Sequence, residues 1–248
     1  MDVTRPVPLD IAMIAGRRPE LIRRTLESFS KHLFAHFEIC KVHVNLDPFM
    51  GKEGDEEICA GIIRHTLPQA QINMPKTPGF GAAVKHVWSN MGDNICFHME
   101  DDWICLQDIT PEMIASGFDD PATSMIYPAH KQRRKDQTNP RERVKKTKLF
   151  GVTVRRHKVA HWGTSPRFIS GPHARRFAAL LDPMKDPEKQ VYTGINKALC
   201  AVQEKTRVLG LWNAQDGPLI ADIGRDYREG VNLVKVNLPD GSVHWQEG

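Results

Sequence analysis

The stretch Asn94-Ile95-Cys96-Phe97-His98-Met99-Glu100-Asp101-Asp102-Trp103 decides how this chain is read. Its mostly apolar run, Asn94 to Met99, predicts a buried strand, and Glu100-Asp101-Asp102 stand at its end. Three adjacent carboxylates repel one another and cannot leave water without a counter-charge. A divalent metal holding a diphosphate supplies such a charge. An acidic turn that merely caps the strand is the plainer alternative.

Upstream of this stretch, strands and helices alternate. Leu9 to Ala15 is a near-continuous apolar run, as in a strand buried on both faces. Gly16 breaks it, Pro19 suits a first helical turn, and Leu21, Ile22, Thr25, Leu26 and Phe29 recur at helical spacing to about His32. Glu38 to Leu46 predicts a second strand ending at Asp47-Pro48, Asp55 to Leu67 a helix, Gln71 to Met74 a short strand, and Gly81 to Asn90 a helix. This rhythm implies a mostly parallel sheet with right-handed crossovers. Ligands bind beyond the carboxyl ends of the strands in such sheets. Gly16, Arg17, Asp47 and Glu100-Asp101-Asp102 all fall there.

The second half is less regular. Strands are expected at Ser124 to Tyr127, Leu149 to Val154, Phe168 to Ser170, Val208 to Trp212 and Leu219 to Ile223. Helices are expected from Gly171 to Leu181 and from Gln190 to Val202. Pro239, Asp240 and Gly241 mark a late turn. No clear domain boundary appears. A soft division near residue 105 separates a donor half (1–105) from an acceptor and catalytic half (106–248) of one α/β domain.

The 248 residues carry a net charge of only +4, but between Lys131 and Lys158 twelve Lys or Arg face two acids, Asp136 and Glu142. That stretch is read as a basic loop, 131–158. A solvated charge run is its plain reading. Its like charges otherwise call for an anion, with nucleic-acid phosphates favoured over lipid headgroups because no amphipathic helix accompanies them. The five cysteines are scattered with no C-x-x-C pair, and Cys40 and Cys96 read as small core residues in a reducing compartment. No apolar run approaches the roughly 20 residues of a membrane span, and the first residues lack a signal-peptide pattern. A cytoplasmic protein is therefore expected, in host cytoplasm if viral.

Three segments together resemble the family 2-like glycosyltransferases of the GT-A fold. They are Arg18-Pro19-Glu20-Leu21 with Arg24-Thr25-Leu26-Glu27-Ser28, then Gly79-Phe80-Gly81-Ala82-Ala83, then the strand ending in Glu100-Asp101-Asp102. They cover roughly residues 9 to 105; Ser170-Gly171-Pro172 and Asp222-Ile223-Gly224 match loosely. The chain departs from the pattern at Asn45-Leu46-Asp47-Pro48, at Lys85 and at Glu100.

The resemblance implies a GT-A-like, mostly parallel sheet flanked by helices in a single compact domain. It implies an inverting transferase using Mn²⁺ or Mg²⁺ and a nucleotide-diphosphate sugar. Asp102 would ligate the metal, and Glu100 would face the ribose or the metal through water. Ala15, Gly16, Arg17, Asp47, Gly79, Phe80, Gly81, Lys85 and Asp101 would line the donor. Asp47 is equally explained as a turn residue before Pro48, and Arg17 as a solvated loop residue. The general base is expected at Glu188, or else Asp186, although both residues suit a helix N-terminus anyway. Trp103 and Trp162 are candidate acceptor platforms or core aromatics, and Arg133, Arg134, Lys145 and Lys146 candidate nucleic-acid contacts. Enzymes that glycosylate hydroxymethylated pyrimidines in viral DNA are similar in being compact with a basic loop, so DNA is the favoured acceptor. A transferase building surface glycan, and a nucleic-acid-binding protein without catalysis, are the alternatives.

Overall fold

A computed structural model describes residues 6–130, 143–149, 152–159, 162–211, 217–230, 233–237 and 243–247. The first half runs β1 (Pro8–Ala15), α1 (Pro19–His32), a single 3-10 turn (Phe34–His36), β2 (Glu38–Leu46), α2 (Asp55–Thr66), β3 (Ala70–Asn73), α3 (Phe80–Ser89) and β4 (Ile95–Glu100). It continues with β5 (Trp103–Cys105), α4 (Pro111–Phe118), β6 (Thr123–Pro128), β7 (Arg143–Leu149), β8 (Val152–Val159) and β9 (Arg167–Ser170). Then come α5 (Gly171–Leu180), α6 (Pro187–Tyr192), α7 (Lys197–Gln203), β10 (Arg207–Leu211), β11 (Ile220–Asp222), α8 (Gly224–Gly230), β12 (Leu233–Asn237) and β13 (Val243–Glu247).

Seven strands form one sheet in the order β10-β6-β9-β4-β1-β2-β3, parallel except for β9, which runs against both neighbours. Strands from both sides of residue 105 share it, so the two halves make one α/β domain. β1 explains why the sheet needs two covers. Leu9, Ile11 and Met13 point into a core with Ile22, Leu26 and Phe29 of α1 and Ile63 of α2. Ala12 and Ile14 point the other way, against Val84, Val87 and Trp88 of α3 and Phe177 of α5. A strand with helices on both faces keeps no polar alternation, hence the near-continuous apolar run, broken only by Asp10. The buried face of α1 is Leu21, Ile22, Thr25, Leu26 and Phe29, as its spacing predicts, and the Phe29 ring lies 5.3 Å from that of Phe97 of β4, tilted by 51°. Fully burying a side chain of that size contributes about 1.5–3 kcal/mol.

Three expectations fail. The strand placed at Leu149 to Val154 takes in the end of β7 and the start of β8, two strands that pair antiparallel, so the supposed basic loop is partly a two-stranded ribbon. The β-branched residues scattered through it (Val144, Thr147, Val152, Val154, Val159) favour that pairing over a coil. The single helix Gln190 to Val202 is two helices. Gly194 takes φ +75° between them, Asn196 caps α7 by accepting from the Leu199 N–H at 3.0 Å, and Ile195 is exposed. Cys40 is exposed, whereas Cys96 is buried. Helix α4, opened by the Thr110 cap and Pro111, was not anticipated. Trp212 and the 238–242 turn lie outside the described residues.

His98 is fully buried in β4, and its Nδ1 accepts the Trp88 Nε1–H at 3.0 Å. Burial, with the charge of Arg167 behind it, pulls its pKa down to about 3. The unfolded chain takes up this proton near pH 6.5, the folded one only near 3. Stability from this group is therefore complete above 6.5 and declines by about 1.4 kcal/mol per pH unit below it. Urea unfolding at pH 7.5 and 5.0 should show a smaller loss for His98→Gln than for the wild type.

Candidate active site

Register brings the strand ends together. Ala15 pairs with Leu46, and Ile14 with Glu100, so β1, β2 and β4 finish on one edge. The Asp47 N–H donates to the Ala15 carbonyl (2.8 Å) and the Asp101 N–H to the Ile14 carbonyl (3.1 Å), which continues that edge into the loops.

The acidic tetrad divides its labour. Asp101 is turned inward. Both its carboxylate oxygens pair with the guanidinium of Arg18, Oδ2 also accepts the Gly16 N–H at 3.0 Å, and its carbonyl accepts the Thr25 hydroxyl at 2.8 Å. It is a strut between β4 and the start of α1, with its carboxylate engaged inside the protein rather than open to a donor. Arg18, itself 7% exposed, was missed as a functional residue. The one signal for it was the unneutralised charge of the tetrad, which required a nearby cation.

Asp102 faces the edge. Its Oδ2 accepts from Arg18 Nη1 (3.3 Å) and Arg228 Nη1 (3.4 Å), and its carbonyl accepts the Ile223 N–H (2.9 Å). Gly224 sits so close that a Cβ there would lie 2.2 Å from Asp102 Oδ2, so only glycine lets α8 approach. Burial, then Asp101, raises the Asp102 pKa to about 6, with Arg18 opposing and Asp222 adding to the rise. Glu100 is pushed well above the carboxylate range by burial, then by Asp102 and Glu188; the Trp103 Nε1–H, 3.3 Å from Oε2, opposes the shift. Asp222 pairs across β11 and β5 with Trp103 and is exposed.

The other donor-side residues separate into two groups. Asp47 Oδ1 accepts from Asn45 Nδ2 (2.6 Å), whose Oδ1 accepts from Asn73 Nδ2 (2.7 Å); Asp47 Oδ2 accepts the Gly79 N–H (2.9 Å). Asp47 thus ties the ends of β2, β3 and the start of α3 together, and burial raises its pKa. Phe80 is half-buried beside it at the start of α3. Three residues are engaged elsewhere. Arg17 holds the following loop through the Met50 and Pro48 carbonyls and faces Glu56. Lys85, expected at a diphosphate, donates to the Leu181 carbonyl at the end of α5 (2.8 Å). Gly81 is needed for packing: a Cβ there would lie 2.3 Å from the Lys185 carbonyl oxygen.

Of the two candidate bases, Asp186 caps α6, its Oδ1 accepting the Glu188 and Lys189 N–H groups at 2.9 and 3.1 Å. Glu188 points elsewhere. Its Oε1 accepts the Thr164 N–H (2.8 Å) and hydroxyl (3.2 Å), and its charge reaches Glu100. The fold therefore sets the charge of Glu188 within reach of Glu100 and engages Asp186 Oδ1 as a helix cap.

The aromatic platforms do not survive. Trp162 is fully buried, its ring 4.8 Å from Phe177 and 5.4 Å from Trp88. Trp103 is 8% exposed, bound to Glu100 and edge-on to His130. Lys145 and Lys146 lie on β7; Arg133 and Arg134 lie outside the described residues.

Among the described residues no three His, Cys, Asp or Glu side chains form a ready metal cage. A buried carboxylate with two acidic neighbours still fits Mg²⁺ or Mn²⁺, since these ions accept hard oxygen and draw remaining ligands from water and phosphate.

No family model matches the chain, and no curated protein matches it. Solved structures do. A S. aureus TarS structure (residues 1–349, with UDP) superposes with a TM-score of 0.53 at 12% identity, over 86% of this chain and 59% of that one. GalNAc-T7, with UDP, GalNAc and Mn²⁺, gives 0.51 at 12% over 87% and 44%. The mannosyltransferase PcManGT of Pyrobaculum calidifontis, with GDP-Man and Mn²⁺, gives 0.50 at 10% over 86% and 58%. The chain spans less than two thirds of each. At these identities the likeness is one of fold, and that fold is GT-A-like. No helix among the described residues is long and apolar enough to cross a membrane.

Proposed function

We propose that this chain is an inverting, metal-dependent glycosyltransferase. The observation that carries the reading is that Asp47 and Asp102 follow strands ending on one carboxyl edge of a GT-A-like sheet, with the charge of Glu188 reaching Glu100 beside Asp102. The nucleotide-bound neighbours of the same fold support a nucleotide sugar as donor. Asp47, buried and oriented by Asn45 and Gly79, is suited to accept from a nucleobase. Asp102 would hold Mn²⁺ or Mg²⁺ with Glu100 beside it, and the bound ion would neutralise the departing diphosphate. Glu188 Oε2, which has no hydrogen-bond partner among the described residues, takes the proton of the acceptor hydroxyl. The hydroxyl oxygen bonds to the anomeric carbon as the bond from that carbon to the diphosphate oxygen breaks. The test is intact-mass analysis of candidate acceptors after incubation with Mn²⁺ and a panel of nucleotide sugars; one hexose or pentose mass per hydroxyl is expected.

For the acceptor we favour hydroxymethylated pyrimidines in DNA. The support is the basic stretch, of which β7 and β8 form a ribbon that includes Lys145 and Lys146. Duplex binding should fall steeply with salt, log K changing by about −0.9 per phosphate contact per decade of salt. Neutralising Arg133, Arg134, Lys145 and Lys146 together should flatten that slope in filter binding. An unchanged slope excludes the DNA acceptor and leaves a glycan acceptor.

A further inference from the structure

Glu188 is held by a short segment whose chemistry the reaction above does not use. Residues 162–165 connect β8 to β9 and are fastened at three points. The Tyr192 hydroxyl, one turn beyond Glu188 on α6, donates to the Trp162 carbonyl. Thr164 donates both its N–H and its hydroxyl to Glu188 Oε1. Arg167 donates Nε to the Ser165 carbonyl (2.7 Å) and Nη2 to the Ser165 hydroxyl (2.8 Å).

Gly163 lies at the centre. A Cβ on it would fall 2.6 Å from Arg167 Nη2 and 3.1 Å from Glu188 Oε1, so the guanidinium and the carboxylate close over bare backbone. Arg167 is 2% exposed, and Glu188 is the foremost of the negative groups that offset the cost of burying its charge. A cation that deep is expensive unless anions face it. The carboxylates it faces are those of Glu188 and Glu100, with Tyr127 and Tyr192 near. Thr164 is likewise 2% exposed, so its hydroxyl serves the interior and Glu188 rather than solvent.

We propose that Thr164, backed by Ser165 and Arg167, is a positioning residue for Glu188. It fixes Oε1, and so leaves Oε2 as the one oxygen presented to an acceptor. The proposal rests on the reading of Glu188 as the base, and the experiment separates the two. Nucleoside diphosphate release with Mn²⁺ and water as acceptor is measured for UDP-GlcNAc, UDP-glucose and GDP-mannose. The proteins are wild type, Thr164→Val, Thr164→Ser, Glu188→Gln and the Thr164→Val/Glu188→Gln double variant.

Val matches Thr in shape but lacks the hydroxyl, so kcat should fall about tenfold with donor KM unchanged, whereas Ser should restore it. In the Glu188→Gln background the Val substitution should cost nothing further, because residues acting through one group are not additive. Ser165→Ala should lose about threefold and be silent in that background in the same way. An equal loss in both backgrounds, or wild-type kcat for Thr164→Val, overturns the positioning role while Glu188 stands. A Glu188→Gln enzyme as active as wild type, or no release from any donor, overturns the underlying reading, and the inference falls with it.

Discussion

Asp102→Asn is expected to abolish the Mn²⁺-dependent rise in melting temperature with nucleotide sugars, and to lower transfer by more than about 100-fold, beyond the usual cost of losing an outer-shell partner of a metal. The same variant should be no less stable than wild type without metal. Asp102 is buried among Asp101, Asp222 and Glu100, and its pKa near 6 records that its charge is unwelcome there. Asn keeps an oxygen that accepts from Arg18 and Arg228 and fits against Gly224, yet it removes one negative charge from a crowded set. A residue kept for stability would behave oppositely, because breaking a buried ion pair costs roughly 3–5 kcal/mol. Differential scanning fluorimetry with and without Mn²⁺ measures both halves. A destabilised apo variant that still shows the Mn²⁺-dependent shift would make Asp102 a structural ion-pair residue and remove the metal from this edge. Asp101→Asn supplies the contrast. Its carboxylate is bidentate to a buried Arg18, so its replacement should lower stability in the absence of any ligand.

The contrast between Asp101 and Asp102 also marks where the sequence is readable. Two strands, β1 and β4, show in the chain because burial on both faces removes polar residues from a continuous run. The position of Asp47 and the tetrad follows once those strands are parallel. The partner of Asp101 does not follow, since Arg18 lies 83 residues away and an ion pair leaves no periodic trace. Trp162 could be read as platform or core for a related reason. It precedes β9 in an irregular segment, where no period assigns a face, and only the packing of Trp88 and Phe177 shows that the ring is internal. Its neighbours carry the interest instead. Gly163 and Thr164 are unremarkable residue types, and their closeness to Glu188 appears only when α6 docks on the segment before β9. The ribbon in the basic stretch was hidden because charge dominated a pattern whose β-branched residues were already present. Helix α6 was read as part of a longer helix because apolar spacing persists across Gly194, although the backbone there cannot stay helical at φ +75°.

The second large effect separates Glu188 from Asp186, which sequence reasoning left side by side. Glu188→Gln should lower kcat by about 10²–10⁴-fold, the range a general base supplies, with donor KM nearly unchanged, and should also lower the melting temperature because Glu188 offsets the buried charge of Arg167. Gln still offers an oxygen to the Thr164 N–H and hydroxyl, so the local geometry is retained while the capacity to take a proton is lost. Asp186→Ala should cost stability without that loss of turnover. It removes the acceptor of the Glu188 and Lys189 N–H groups, a helix cap, and should cost about 1 kcal/mol of stability with a much smaller effect on kcat. Single-turnover transfer should divide the two variants in this way, while chemical denaturation shows both destabilised. If instead Asp186→Ala loses turnover by orders of magnitude and Glu188→Gln does not, the base is Asp186 and the hold of Thr164 on Glu188 is structural. The division is a stringent test because Asp186 caps, and Glu188 lies in the first turn of, one short helix, two positions apart. Loss of that helix would damage both variants together, and only a difference in proton chemistry can divide them.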